Sequence, residues 1–214
     1  FDSGYNVLQG SFPFKDYWTI TGPFLDYFQA LFFLIFGVSW FSYVLHASVI
    51  NLILGLFSYF LFINFKLNNF FSFIYSTGIV LLAYPHIGTP FIDHHSTIFS
   101  VLAIYFFVLG VKNKNNIFIF FIPILLSFAF LSKQIPSVYI IIYLSFIFVL
   151  FFYYKRDLTI FYYIFYGFLF SLLIFLSVMI INKIPFNNFI IQYIFYPMSI
   201  GETRLENLNF SLKG

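Results

Sequence analysis

The sequence predicts an all-α, polytopic membrane protein with about six transmembrane helices. Of the 214 residues, 62% are hydrophobic and only 8% are charged. A soluble domain of this size cannot bury so much apolar side chain, because a large share of a small domain stays at its surface. The apolar runs lack strict alternation and exceed the ~10-residue strands of membrane barrels, so we expect helices. The predicted spans cover approximately 40–63, 70–85, 97–111, 117–131, 137–153 and 159–182.

These runs divide the chain into three parts. Residues 1–39 form the first extracytoplasmic loop, residues 40–182 form the transmembrane bundle, and residues 183–214 form a semi-polar tail that begins a larger loop. The chain starts inside a loop and without Met, which predicts a fragment that a further helix precedes.

The apolar stretch from Pro23 to Phe36 lies within the first part. A helix of this length extends roughly 21 Å, which is less than the ~30 Å hydrocarbon core. Thr21-Gly22-Pro23 suits a helix start. We therefore predict an interfacial amphipathic helix, with Asp26 and Gln29 on one face and turned toward the loop or the headgroups.

Charged residues sort to opposite ends of the predicted spans. The cations of the short turns at one end are Lys66, Lys112, Lys114, Lys155 and Arg156, opposed there only by Asp157, and the cations of the other end are diluted over much longer segments. The acidic residues of the other end are Asp2, Asp16, Asp26, Asp93, Glu202 and Glu206. Since lysine and arginine density in short loops sets orientation, the first end is predicted to be cytoplasmic. The net charge of +3 is small and spread out, which argues against a nucleic-acid partner.

A pattern in the first loop points to an activity. Its residues are Asp2, Gly10, Pro13-Phe14-Lys15-Asp16-Tyr17, Pro23 and Leu34-Ile35-Phe36-Gly37. The pattern resembles the first extracytoplasmic loop of GT-C-fold glycosyltransferases, in particular the protein-mannosyltransferase-like and lipid A aminoarabinose-transferase-like groups. The resemblance implies transfer of a sugar from a polyprenyl-phosphate donor to a lipid, glycan or protein acceptor. It also implies an integral protein among the lipids of the bacterial inner membrane, with its active site facing the periplasm.

The resemblance assigns catalytic roles to three carboxylates. Asp2 is the expected general base, which deprotonates the acceptor hydroxyl, and Asp16 is the second candidate for that role. The order of these two stays open, because Ser3 stands where the family has a further acid. Asp93 matches an acid near the end of the second extracytoplasmic loop, where it would face the first loop.

Substrate-binding residues follow from the same comparison. The family often has a basic residue in the loop that holds Lys133, and an ammonium there would stabilise the leaving phosphate. Another family lysine precedes Pro23, where this chain has Gly22, so Lys15 or Lys133 would take its place. Arg204 would suit a phosphate fork. The remaining predicted substrate-binding residues are Tyr17 and His94.

Several alternatives remain open from the sequence. The cofactor is unknown; Asp93 with a neighbouring histidine and a first-loop carboxylate would offer a divalent metal site. Capping of the next helix by Asp93 or Ser96 is the plainer explanation of the same residues. His46, inside a span, is expected to be packed or hydrogen-bonded. The competing functions are a flippase or transporter of lipids or polyprenyl-linked sugars, and a non-catalytic membrane assembly protein.

Overall fold

The computed structural model describes residues 1–84, 88–156 and 158–206, with side chains described as far as residue 202. The regular elements within these ranges are all helical, which confirms the all-α fold class. The helices are α1 (Asp2–Leu8), α2 (Phe24–Phe36), α3 (Trp40–Asn64), α4 (Asn69–Ala83), α5 (Ile92–Asn113), α6 (Asn116–Ser132), α7 (Gln134–Lys155), α8 (Leu158–Ile181), α9 (Phe186–Phe189) and α10 (Tyr196–Glu206). A π-helical turn, Ile190–Phe195, joins the last two.

Four of these helices are long and apolar enough to cross a membrane: α3, α5, α7 and α8. The chain is therefore consistent with an integral membrane protein. Each predicted span has a helix at its position, but α4 and α6 have only 15 and 17 residues. At 1.5 Å per residue, helices of this length fall short of the ~30 Å hydrocarbon core.

The helices alternate in direction, which separates two ends of the bundle. We call the first the loop end; it contains residues 1–39, the start of α5, the α6–α7 turn and residues 182–206. Hydrogen bonds join these segments: Gly22 N donates to Ser132 O (3.2 Å) and Gln134 Nε2 donates to Tyr193 O (2.7 Å). Thr19 N donates to Gln192 Oε1 (3.1 Å) and so binds the π-helical turn to the first loop.

We call the opposite end the lysine end, because the turns there carry Lys66, Lys112, Lys114, Lys155 and Arg156. Two of its turns meet, since Lys112 Nζ donates to Asn64 O and Asn113 Nδ2 donates to Asn64 Oδ1 (2.9 Å). The side chains of Asp2, Asp16, Asp26, Asp93 and Glu202 belong to the loop end. Those of Arg204 and Glu206 lie outside the described residues.

Helix α5 lies at the centre of the bundle and packs against α3, α6 and α7. The main apolar core is formed by buried residues of α3, α5 and α6, namely Ile50, Leu54, Ile98, Phe99, Leu102 and Ala129. Most residues of α7 and α8 stay exposed, so these two helices supply much of the apolar outer surface. Such a surface matches hydrocarbon chains and not water.

The structure corrects the predicted termini in two respects. The first loop contains a helix, α1, that the sequence did not predict, and it packs on α2. The tail is helical from Phe186 to Glu206 and packs into the loop end, where Tyr193 is fully buried and its hydroxyl donates to Phe130 O. In α2, Asp26 and Gln29 share a face, as predicted, and that face is buried in the protein. Of the two predicted directions, the loop is found for Asp26, to which Tyr17 of the first loop donates.

Candidate functional site

An ion pair connects two predicted site residues at the loop end. Lys133 Nζ donates to Asp93 Oδ1 across 2.5 Å. Asp93 lies in the first turn of α5, where the helix dipole favours a carboxylate. Lys133 lies in the α6–α7 turn, and its carbonyl accepts hydrogen bonds from Ser96 Oγ (3.2 Å) and Ser137 Oγ (2.8 Å). The backbone of Lys133 is thus fixed, while about a third of its side chain stays accessible.

The same contacts exclude the expected capping of α5. The residue before this helix is Phe91, and no side chain caps the first turn. Ser96 donates to the Lys133 carbonyl instead of accepting from an orphan amide. Neither Asp93 nor Ser96 therefore caps the helix through a hydrogen bond, whereas Asp93 does lie in the first turn, where the helix dipole favours it, as predicted. The contact made by Ser96 instead joins α5 to the α6–α7 turn.

Asp16 holds the first loop together. Its Oδ2 atom accepts from the backbone amide of Phe12 (2.8 Å) and lies 3.8 Å from Lys15 Nζ. The buried ring of Phe14 anchors the same turn against Phe189 and Tyr193. Asp16 and Lys15 themselves are exposed. The Asp16 carboxylate thus has a structural partner and serves the loop conformation.

Tyr17 contacts a carboxylate that the sequence did not select. Its hydroxyl donates to Oδ2 of Asp26 (3.2 Å), and Asp26 is only 6% exposed. Burial raises the pKa of the Asp26 carboxyl, and hydrogen bonds from Ser3 and Tyr17 oppose that shift. Burial, followed by the charge of Asp26, also raises the pKa of the Tyr17 hydroxyl. Tyr17 therefore fastens the loop to α2 and is not a free substrate ligand.

Asp2 differs from the other carboxylates because its side chain makes no hydrogen bond within the described part of the chain. It is exposed in the first turn of α1. Tyr43 of α3, which hydrogen-bonds to Thr89, lies close enough to interact electrostatically with both Asp2 and Asp26. Of the three predicted catalytic residues, Asp2 is therefore the one whose carboxylate has no hydrogen-bond partner among the described residues.

The histidines after Asp93 diverge, as expected for adjacent residues on a helix. His94 has both ring nitrogens buried without a hydrogen-bond partner, whereas His95 turns inward to His46 of α3. Among the described side chains, no group of three or more histidine, aspartate or glutamate residues is placed to hold a metal ion. The metal alternative for Asp93 with a histidine and a first-loop acid thus has no ligand set in this part of the chain.

Two apolar cavities lie beneath the loop end. The larger, about 440 Å³, is partly open and is lined by α6, α7 and α8 together with Phe189. The smaller, about 190 Å³, lies under Phe14, Pro23 and Tyr27 of the first loop and α2. The two cavities are adjacent, because they share four lining residues, Ser127, Leu131, Ser171 and Phe175. Neither cavity has Asp2, Asp16 or Asp93 in its lining.

No family model, no curated protein and no solved structure matches this chain. The functional argument therefore depends on the chemistry of the loop end itself.

Sequence reasoning missed how His46 is used. It is packed and hydrogen-bonded, as predicted, but its partners are Gln29 of α2 and His95 of α5. The signal available in the sequence was the i, i+3 spacing of Asp26 and Gln29 on an otherwise apolar helix. That spacing indicates a shared polar face, but it cannot identify the residues that this face meets.

Proposed function

We propose that the protein is a membrane glycosyltransferase that moves a sugar from a polyprenyl-phosphate donor to an acceptor hydroxyl at the loop end. The observation that carries this proposal is the change from apolar to charged surroundings at the end of α6. Leu131 lines both apolar cavities, and two residues later Lys133 presents an ammonium. A polyprenyl phosphate has the same division, with a hydrocarbon chain attached to an anionic head.

The proposed topology has six spans, with the loop end outside. Helices α4 and α6 would cross as short spans through tilt or local thinning of the bilayer. The five cations of the lysine end would then face the cytoplasm, in agreement with the positive-inside rule. In a bacterium this arrangement places the site at the periplasmic face of the inner membrane.

Asp2 is the proposed general base. Its carboxylate takes the proton of an acceptor hydroxyl on a lipid, glycan or protein, and the acceptor oxygen forms a bond to the anomeric carbon of the sugar. The bond between that carbon and the phosphate oxygen breaks, and polyprenyl phosphate leaves with the electron pair. Asp16 is the weaker candidate, because its carboxylate already accepts from the Phe12 amide.

Lys133 is the proposed phosphate ligand. The leaving phosphate gains negative charge in the transition state, so a fixed ammonium lowers the barrier. Asp93 holds the ammonium in place before the donor binds, and the phosphate oxygens then compete with this carboxylate. Lys15 and Arg204 are the further cations proposed for the donor head.

The test is sugar transfer by the purified full chain in lipid vesicles. A polyprenyl-phosphate donor with a radiolabelled sugar is supplied together with a crude acceptor extract. Asp2→Asn should abolish transfer while the protein remains folded. Glu202→Gln neutralises another exposed carboxylate of the loop end and should leave transfer unchanged. Equal rates for wild type and Asp2→Asn would refute Asp2 as the base.

A lipid flippase is the second candidate, and the apolar cavity between α6, α7 and α8 favours it to the same extent. A flippase would carry the labelled donor across the bilayer and leave the sugar attached. Its rate would not depend on Asp2, because no proton is transferred. A non-catalytic assembly protein would show neither activity in the same vesicles.

A further inference from the structure

A chain of three buried polar side chains crosses the loop end between α2, α3 and α5. His46 Nδ1 lies 2.7 Å from Gln29 Oε1, and His46 Nε2 lies 2.9 Å from His95 Nε2. His95 Nδ1 lies 3.0 Å from the carbonyl oxygen of Phe91. Both imidazoles are fully buried and Gln29 is 2% exposed, so these three side chains have no access to water.

Hydrogen-bond chemistry determines where the protons of this chain lie. The Phe91 carbonyl can only accept, so His95 Nδ1 carries a hydrogen and a neutral His95 presents a bare Nε2. His46 Nε2 must then donate to it. A neutral His46 has a bare Nδ1, which faces the Gln29 amide and needs a donor there.

The amide of Gln29 can supply that donor. When the oxygen of this amide faces His46, its Nε2 atom is buried without a partner. The two ends of an amide have nearly the same shape, so the opposite orientation fits the same space. Turning the amide by half a turn lets Nε2 donate to His46 Nδ1 and leaves a carbonyl oxygen unpaired, which is the less costly orphan group. Both histidines then remain neutral, which avoids the cost of a buried charge.

We propose that Gln29, His46 and His95 are positioning residues that fix α1 and α5, and with them Asp2 and Asp93, relative to each other. The argument at the α1 side is steric. A Cβ atom at Gly4 of α1 would lie 2.6 Å from Gln29 Cγ, so α1 rests directly on this side chain. At the other side, His95 lies two residues after Asp93 in the first turns of α5.

Hydrogen bonds between these three side chains are directional, whereas apolar packing between the same helices would not be. Each hydrogen bond has one donor and one acceptor, so α2, α3 and α5 are held at one separation and one rotation. The catalytic consequence rests on the proposed transferase function, because it concerns the distance between the base and the donor head. The geometric consequence does not depend on any activity.

The first test reads the protons directly. Nitrogen-15 NMR of the histidine-labelled full chain, assigned with single histidine substitutions, should show His95 protonated at Nδ1 only and His46 at Nε2 only. A hydrogen on His95 Nε2, or a doubly protonated His46, would overturn the proposed hydrogen-bond arrangement of Gln29, His46 and His95. This readout is independent of transferase activity.

The second test compares His95→Leu with His95→Gln, which keeps a polar group facing His46. The chain has no Cys, so spin labels can be placed on Asn6→Cys of α1 and Thr97→Cys of α5, both exposed positions. We expect His95→Leu to broaden the distance distribution between the labels and His95→Gln to restore a narrow one. Unchanged distances in a folded His95→Leu protein would overturn the positioning role.

Turnover gives the catalytic readout. His95→Leu should lower kcat about 100-fold, as expected for a small misplacement of catalytic groups, and leave the KM for the donor within about twofold. His95→Gln should recover most of the loss. If the wild-type protein transfers no sugar, the proposed function fails. The NMR and distance measurements still decide whether Gln29, His46 and His95 position α1 and α5.

Discussion

Lys133 and Asp93 meet at 2.5 Å although they are 40 positions apart in the sequence. The contact brings the first turn of α5 to the turn between α6 and α7, two residues along the chain from Leu131, which lines both cavities. It is the point at which the charged part of the loop end meets the apolar interior. In the proposed transferase, this is the position at which the donor phosphate would bind.

Replacement of Lys133 distinguishes an effect of its charge on sugar transfer from an effect on folding stability. Lys133→Met should lower sugar transfer at least about 100-fold, since a group aimed at the developing charge is lost. The free energy of unfolding should change by less than about 1 kcal/mol, because the pair is partly exposed. Lys133→Arg keeps the charge and serves as the control. Transfer by Lys133→Met within twofold of the wild-type rate would contradict the phosphate role.

The packing of the first loop against α6 depends on Gly22. A Cβ atom at this position would lie 1.8 Å from the Leu131 carbonyl oxygen, and backbone cannot move aside as a side chain can. Gly22→Ala should therefore cost about 1–3 kcal/mol of stability and break the hydrogen bond to Ser132.

Gly78→Ala in α4 is the matched control for this change, because nothing lies within 4 Å of its Cβ position. Alanine is the better helix former, so this variant should gain up to about 1 kcal/mol. Thermal unfolding in detergent measures both variants. Equal behaviour of the two would show that the loop is not seated on α6.

The buried carboxyl of Asp26 predicts a pH dependence of stability. Its pKa is raised in the folded protein, so the folded state binds this proton more tightly than the unfolded state does. The resulting contribution to stability is present below the unfolded pKa of about 3.9 and is lost as the pH rises through the folded value. Asp26→Asn should thus gain stability over the wild type as the pH increases from about 4 toward neutrality.

Melting curves of wild type and Asp26→Asn at a series of pH values test this expectation. Tyr17→Phe removes a hydrogen bond that favours the carboxylate, so it should steepen the pH dependence of an otherwise intact Asp26. A stability difference between wild type and Asp26→Asn that stays constant with pH would contradict the raised pKa.

The larger cavity can be filled from α7. Ser145 is exposed and lines the cavity without taking part in the Ser127–Ser171 hydrogen bond. Ser145→Phe should raise the donor KM about tenfold, which corresponds to the loss of about two buried methylene contacts. Its kcat should not change, and Ser145→Ala should behave as wild type. A donor with a shortened isoprenoid chain should not distinguish Ser145→Phe from the wild type.

The extent of the helices was readable from the sequence because it depends on local hydropathy. Six apolar runs predicted the positions of α3 to α8 within a few residues. The separation of Lys66, Lys112 and Lys155 from the carboxylates of the loop end also followed, since alternating helices send alternate turns to opposite ends. Helix α1 and the helical tail lack long apolar runs, so local hydropathy did not predict them.

The amino-acid sequence by itself thus determined that the chain is helical, apolar and charged differently at its two ends. Only the tertiary structure decided that Asp16 and Tyr17 serve the loop and that His46 reaches Gln29 and His95. It also showed that Asp2 has no hydrogen-bond partner among the residues that the structure describes. These outcomes depend on pairs separated by up to 49 positions, such as His46 and His95. The packing of whole helices fixes such distances, and no periodicity within a single helix encodes them.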